Sequence, residues 1–475
     1  IPLPAMGERF NTLFAAPAAE NGFNRDAEAL AKRYPTTLPG VDLDALFARQ
    51  AAAFEQDRNP PLATRVDRLR RLRAVVADNR ARIIEAVNAD FGSRAEEESR
   101  LAETGATLTT IDYTLARVAR WMRPRRRGTS IWFLPASNAI VPQPLGVVGV
   151  MSPWNYPVNL ALAPLATALA AGNRAMVKMS EFTPATTALI QQLVAAAFDD
   201  TEVAIIGGEA NVATAFSALP FDHLLFTGST AVGRRVMQAA AQNLTPVTLE
   251  LGGKAAHIVF DDSAVDQAVE GIVNGIYFNQ GHVCCAGSRL LVQESVAEEF
   301  TLRLKRRMAV LRLGDPLDKN TDVGAINSAE QLRRITDMVD AGVAEGADLH
   351  QPACDLPERG YWYPPTVFTG VQQSHSVARD EIFGPVLTVQ TFRTPQEAVD
   401  KANNTPYGLS AGIWTEKGSR ILWMAEQLRA GVVWANTYNQ FDPASPFGGY
   451  KESGFGREGG LHGLAPYLRA AGRVA

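Results

Sequence analysis

Between Ala139 and Glu250, short β-branched runs alternate with helical stretches, and that alternation leaves few architectures open. Residues 139–141, 146–151, 174–178, 203–207, 223–227 and 247–250 read as strands, while residues 158–172 and 230–243 between them read as helices. The order strand, helix, strand predicts an α/β fold with a largely parallel sheet and helices on both faces. A second α/β pattern begins after Lys254 and runs to about Pro446 without a Gly- or Ser-rich linker, so two closely packed units are expected. The apolar stretch 158–172 is too short for a bilayer and contains Pro164, which makes it a buried helix.

Ahead of this pattern, residues 1–40 lack sustained periodicity and read as an irregular extension. From Val41 to Met122, LDALFARQAAAF, RVDRLRRLRAVVADNRARIIEAVNADF and TTIDYTLARVARWM carry apolar residues at helical spacing and predict a helical layer. The basic run 123–128 reads as a solvated turn. With 46 Lys and Arg against 50 Asp and Glu, the net charge of -4 leaves no footprint for nucleic acid. The odd count of three cysteines argues against a disulfide framework, and no charged-then-apolar leader is visible, so a cytoplasmic protein without a membrane segment is expected.

Sheets of this kind bind ligands beyond the carboxyl ends of their strands. In Phe226-Thr227-Gly228-Ser229-Thr230, Gly228 and Ser229 leave backbone and hydroxyl groups near a helix N-terminus, suited to a pyrophosphate or simply to a capped turn. Lys178 and Glu181 follow another strand and suit either the two hydroxyls of an adenine ribose or a surface ion pair. Cys284 lies in the small-residue segment NQGHVCCAG, where a thiolate would be reachable and stabilised by backbone dipoles, or where a thiol simply packs. His282 is two residues away and need not face it. Asn155, in a loop between Pro153 and Pro157, has an amide for a developing oxyanion, and Glu250, at a strand end, has a carboxylate that can activate water. The six histidines show no paired metal-ligand spacing, so no metal is expected, and no GxSxG elbow is present.

Together SPWNYP, KMSE, FTGST, LELGGK, GHVCCAG, EIFGPV and SPFGGYKESGFGRE resemble the aldehyde dehydrogenase superfamily from about Val41 to the C-terminus. Up to about Lys254 the chain looks most like coniferyl aldehyde dehydrogenases, and beyond it like broad-specificity aldehyde dehydrogenases. Met179, Ala231 and His282 depart from the residues usual at their positions. The resemblance implies a Rossmann-type NAD(P)-binding domain over 41–122 and 145–252, a catalytic α/β domain over 253–446, and oligomerisation segments over 123–144 and 447–475. It implies Cys284 as nucleophile, Glu250 as general base and Asn155 as oxyanion donor. Trp154, Lys178, Glu181, Gly228, Ser229, Glu381 and Phe383 would hold the cofactor.

The implied reaction oxidises an aldehyde to its acid through a thiohemiacetal and a thioester on Cys284, hydrolysed by Glu250-activated water. NAD is favoured over NADP because Glu181 would repel a 2′-phosphate. An aromatic aldehyde such as coniferyl aldehyde, or a medium-chain aliphatic one, is the expected substrate, with Tyr156 and Phe447 lining its pocket and Trp154 and Tyr438 as further aromatic candidates at the entrance. Alternatives are a CoA-acylating enzyme, which would not need the base Glu250, and a non-catalytic member of the fold. A homodimer or homotetramer is expected.

Overall fold

The structure, a computed structural model, describes residues 41–92, 94–358 and 360–474; the expected extension over 1–40 lies outside them. The helical layer consists of α1 (Leu43–Gln56), α2 (Leu62–Ala77), α3 (Arg80–Phe91) and α4 (Ala106–Leu115). Asp42 caps α1 by accepting the Ala45 N–H at 2.9 Å. The long periodic run expected as one segment breaks between α2 and α3, where the Asn79 amide donates to the Val75 carbonyl at 3.0 Å and competes with continuation of the helix. A π-helical run, Ser99–Gly105, leads into α4.

The basic run expected as a turn instead forms β1 (Arg125–Arg127), exposed throughout and antiparallel to β2 (Asn138–Pro144). Paired backbone draws it into an edge strand while its charges stay in water. The first large sheet has the order β15-β7-β6-β3-β4-β5. It contains β3 (Val147–Met151), β4 (Arg174–Lys178), β5 (Val203–Ile206), β6 (His223–Thr227) and β7 (Val247–Glu250), all parallel, with β15 (Gly454–Phe455) added antiparallel at one edge. Between β3 and β4 runs α5 (Asn159–Ala171), the buried helix foreseen, ending at Gly172 with φ 95°.

Successive residues of these strands point to opposite faces. Val148, Val150, Ala175 and Val177 join the core under α2 to α5, while Val147, Met151 and Met176 join a second core against α1. Burial on both faces explains why the strands read as continuous apolar runs.

The second large sheet has the order β10-β11-β12-β9-β8-β13-β14. Its strands are β8 (Ala256–Val259), β9 (Arg289–Gln293), β10 (Asp348–His350), β11 (Thr366–Thr369), β12 (Val386–Phe392), β13 (Ser410–Trp414) and β14 (Val432–Ala435), parallel apart from β10. A third sheet joins β1, β2 and β16 (Leu468–Val474), the last pairing with β2 over seven residues. The C-terminal stretch 447–475, expected as an oligomerisation segment, supplies β15 to the first sheet. Among the described residues no helix is long and apolar enough to cross a membrane.

Candidate active site

In the first sheet the chain leaves β3 toward β4 on one side and reaches β6 on the other, so a crevice opens beyond their carboxyl ends. Three loops line it, carrying Trp154 and Asn155, Lys178 to Glu181, and Gly228 with Ser229. Ser152 Oγ and Thr227 Oγ1, at the ends of β3 and β6, are buried with no hydrogen-bond partner among the described residues. Buried hydroxyls at such a position call for a polar ligand or water.

Two details depart from the expected phosphate loop. Gly228 N–H is not free, because it donates to the Glu250 carbonyl at 3.0 Å and closes the sheet. The Ser229 hydroxyl accepts the Val232 N–H at 3.4 Å and caps α6 (Thr230–Ala241). What remains for an anion is the opening N–H groups of α6 and its dipole. Lys178 is buried, donates to the Met179 carbonyl at 2.7 Å and lies 3.6 Å from Glu181, whose side chain is 35% exposed. Burial pulls the Lys178 ammonium below its usual range. Both side chains sit beside the crevice, paired with each other.

The thiol segment approaches from the second unit. A helix over Val265–Tyr277 ends in a turn where Asn279 and Gln280 take left-handed backbone, and the chain doubles back to Cys284. Asn155 Nδ2 donates to the His282 carbonyl at 3.0 Å, tying the loop after β3 to this segment. One amide hydrogen is thereby engaged and the second is left for another acceptor. A side chain at Gly252 would collide with the Glu381 carboxylate, and one at Gly253 would start 2.6 Å from the Cys284 carbonyl oxygen. Those two glycines let the Glu250 loop, Glu381 and Cys284 converge. Glu381 also accepts the Gly253 N–H at 3.0 Å.

Burial shifts the titrating groups in this region toward their uncharged forms. Glu250 is 5% exposed, and neither carboxyl oxygen has a hydrogen-bond partner among the described residues. Burial, the neighbouring Glu458 and a Cys284 thiolate together push its carboxyl well above the usual range. Burial likewise raises Glu381 and Glu458 to about 7. The expected stabilisation of a Cys284 thiolate is outweighed: a bond with the Cys285 thiol, burial and the Glu381 charge push the Cys284 thiol well up. Burial holds the His282 ring down to about 3, and neither ring nitrogen has a partner among the described residues. It packs at 5.0 Å from the Trp154 ring and 5.7 Å from the Phe383 ring.

A thiol, an unpaired buried carboxyl and an amide therefore meet beside a nucleotide-type crevice. The model of the aldehyde dehydrogenase family matches residues 34–471. The chain belongs to the aldehyde dehydrogenase family. As such it is an oxidoreductase acting on the aldehyde group, with the Rossmann-type α/β fold of that family. A Pseudomonas aeruginosa protein named a probable coniferyl aldehyde dehydrogenase is 41% identical over 432 residues, 90% of each chain. Betaine aldehyde dehydrogenase of Staphylococcus aureus, solved with NAD+, is 32% identical with a TM-score of 0.85, covering 90% of this chain and 88% of its own. Indole-3-acetaldehyde dehydrogenase AldA of P. syringae, solved as a mutant with NAD+ and IAA, is 31% identical with the same TM-score and coverage.

In this aldehyde dehydrogenase the aromatic candidates divide. Tyr156 and Phe447 are half-buried and pack with Cys284 against one apolar cluster. Tyr438 is not at an entrance: it is 6% exposed and donates to the Cys285 carbonyl at 2.8 Å, a core position. Phe383 is held at φ 58° by Gln331, which donates to its carbonyl at 2.9 Å, and its ring meets Trp154 edge-on at 5.5 Å. The influence of Glu458 on Glu250 had no local sign beyond its place in the GRE motif. Buried Lys254, with no partner for its amine among the described residues and pulled down to about 7, was legible only as part of LGGK. Among the described residues no group of three His, Cys, Asp or Glu is placed to hold a metal ion.

Proposed function

We propose that the protein is an NAD-dependent aldehyde dehydrogenase that oxidises an aromatic or medium-chain aliphatic aldehyde to its carboxylic acid. The observation that carries this reading is the convergence of Cys284, Glu250 and Asn155 at the mouth of the crevice. Cys284 sulfur attacks the aldehyde carbon, and the Asn155 amide with the Cys284 backbone N–H stabilises the resulting oxyanion. A nicotinamide cofactor, when bound, supplies the acceptor for the hydride that leaves that carbon. Glu250 then takes a proton from water, which attacks the Cys284 thioester and releases the acid. The retained, unpaired Glu250 favours hydrolysis over transfer to CoA.

The crevice suits a dinucleotide. Its supports are the unpartnered Ser152 and Thr227 hydroxyls, the opening turn of α6, and the Lys178–Glu181 pair for an adenosine ribose. Trp154, Glu381 and Phe383 then lie on the nicotinamide side. In this reading the first sheet and its helical layer bind the cofactor and the second unit brings the nucleophile. Cofactor choice turns on Glu181, whose charge opposes a 2′-phosphate. Glu181→Ala is expected to raise the NADP to NAD ratio of kcat/KM about tenfold, the 1.4 kcal/mol scale of a partly screened charge contact. An unchanged ratio would remove Glu181 from that role. Oxidation of a panel of aliphatic and aromatic aldehydes, followed by absorbance of the reduced cofactor, tests the function as a whole.

The protein is further read as a cytoplasmic homodimer or homotetramer. Ile131, Trp132, Phe133 and Leu134 form an apolar tip between β1 and β2, with Trp132 87% exposed, and β16 leaves its outer edge unpaired among the described residues. An exposed tip beside an open strand edge favours burial against a second copy. Trp132→Asp is expected to lower the mass measured by light scattering toward that of a single chain. An unchanged oligomeric mass would argue against the tip as a contact.

A further inference from the structure

A group of buried charges sits behind the loop that carries Trp154, Asn155 and Tyr156, and the mechanism above leaves it unused. Arg94 is 3% exposed and Glu103 fully buried, although charged side chains normally face water. The Arg94 guanidinium donates to the Asn155 backbone carbonyl at 2.9 Å and to Glu98 at 3.0 Å, and lies 3.6 Å from Glu103. It is also sandwiched between rings, 4.6 Å from the centre of Phe91 and 4.8 Å from that of Tyr156. Glu103 accepts the Val158 N–H at 3.1 Å and the Asn159 N–H at 2.8 Å, at the start of α5.

These contacts hold the loop at its middle and at its junction with α5, and Glu103 lies in the π-helical run over Ser99–Gly105. A wider turn of this kind is a common device for aiming a side chain. Burying a guanidinium and a carboxylate costs several kcal/mol that an apolar pair would not, so their presence asks for a reason beyond stability. Asn155 supplies that reason. Its amide already spends one hydrogen on His282, so the direction of the other is set by where the backbone of Asn155 is held.

We propose that Arg94 and Glu103 are positioning residues for Asn155: they fix the backbone of the loop after β3 so that the free amide hydrogen points at the oxygen of the aldehyde bound to Cys284. The proposal rests on the oxyanion role assigned to Asn155 above. Removing one oxyanion donor lowers catalysis about 10²- to 10³-fold, and misaiming it should lose a large share of that.

The test is a mutant cycle on kcat/KM, using the aldehyde that the wild-type protein oxidises fastest in a panel from acetaldehyde to cinnamaldehyde, with the Kd for NAD measured alongside. Arg94→Met is expected to lower kcat/KM about 30-fold while the Kd for NAD moves less than about threefold, and Arg94→Lys is expected to recover part of the loss. In an Asn155→Ala background, adding Arg94→Met should cost less than about threefold more. Glu103→Gln keeps an acceptor for the two N–H groups but removes the charge facing Arg94. It is expected to lower kcat/KM about fivefold, again with no further loss beside Asn155→Ala, and it carries the cycle if Arg94→Met does not fold. Losses that multiply in the Asn155→Ala background would overturn the proposal and leave both residues as scaffolding. An Asn155→Ala variant with near wild-type kcat/KM would instead overturn the oxyanion reading beneath it, a result distinct from multiplication.

Discussion

Cys284→Ala is expected to lower aldehyde-dependent formation of reduced NAD by about 10⁴-fold or more, the loss typical when a covalent nucleophile is removed. No neighbour is placed to replace it. The Cys285 thiol is fully buried and donates to Asn439 Oδ1 at 3.3 Å, and the His282 ring is walled in by Trp154 and Phe383. Because Cys284 is only half-buried and packs at the margin of its apolar cluster, the alanine variant should keep its melting temperature within a few degrees and still bind NAD. Absorbance of reduced cofactor, calorimetric NAD binding and mass spectrometry for an acylated chain form the measurement. Turnover above about one per cent of wild type would mean that Cys284 is not the nucleophile.

Glu250→Gln is expected to divide the reaction. Attack by Cys284 and loss of hydride do not need the carboxylate, so a burst of reduced cofactor close to one per site should survive. Water activation does need it, and steady-state turnover should fall about 10²- to 10⁴-fold while an acylated Cys284 accumulates. The pH dependence has a definite sign. Burial, Glu458 and the thiolate hold the Glu250 carboxyl protonated to a higher pH than an ordinary carboxylate, and only its ionised form accepts a proton from water. Wild-type turnover should therefore climb as pH rises past the usual carboxylate range and fade as it drops. The raised Cys284 thiol pushes the same way for the attack step. In Glu250→Gln the deacylation limb should flatten. A lost burst, or a variant with wild-type steady-state rate, would show that Glu250 does another task.

Much of the first sheet could be read from local pattern, since residues 174–178 and 223–227 match β4 and β6 end to end. Strands buried on both faces carry unbroken apolar runs, and their helices carry a different period, so each element announces itself within its own residues. The candidate site was legible for the same reason wherever a residue lies at or soon after the end of such a strand, as Lys178 and Glu250 do at the ends of β4 and β7 and Asn155 does in the loop after β3. Pairings between distant segments leave no local mark. Nothing in Gly454-Phe455 says that it will lie beside Leu249 and Glu250. Nothing in the residues around Arg94 and Glu103 marks their charges as buried, because burial depends on what packs over them, here the loop after β3. The Ser229 loop left two readings open in the sequence because a helix cap and an anion site use the same residue types.

The strand β15 has a further consequence. It pairs Gly454 with Glu250, and Ser453 next to it accepts the Leu251 N–H at 3.0 Å and donates to the Gly252 carbonyl at 2.6 Å. The turn after Glu250, the proposed base, is thus closed by residues some two hundred positions downstream. On the ribosome every other strand of the first sheet emerges long before that clasp does, and contacts of such sequence separation form late. From the synthesis of Glu250 until that of Ser453 the growing chain leaves β7 without its β15 partner, and a fragment that stops short of Ser453 lacks the clasp however well the remainder folds. The surroundings of Glu250 are thus completed only by residues made some two hundred positions after it.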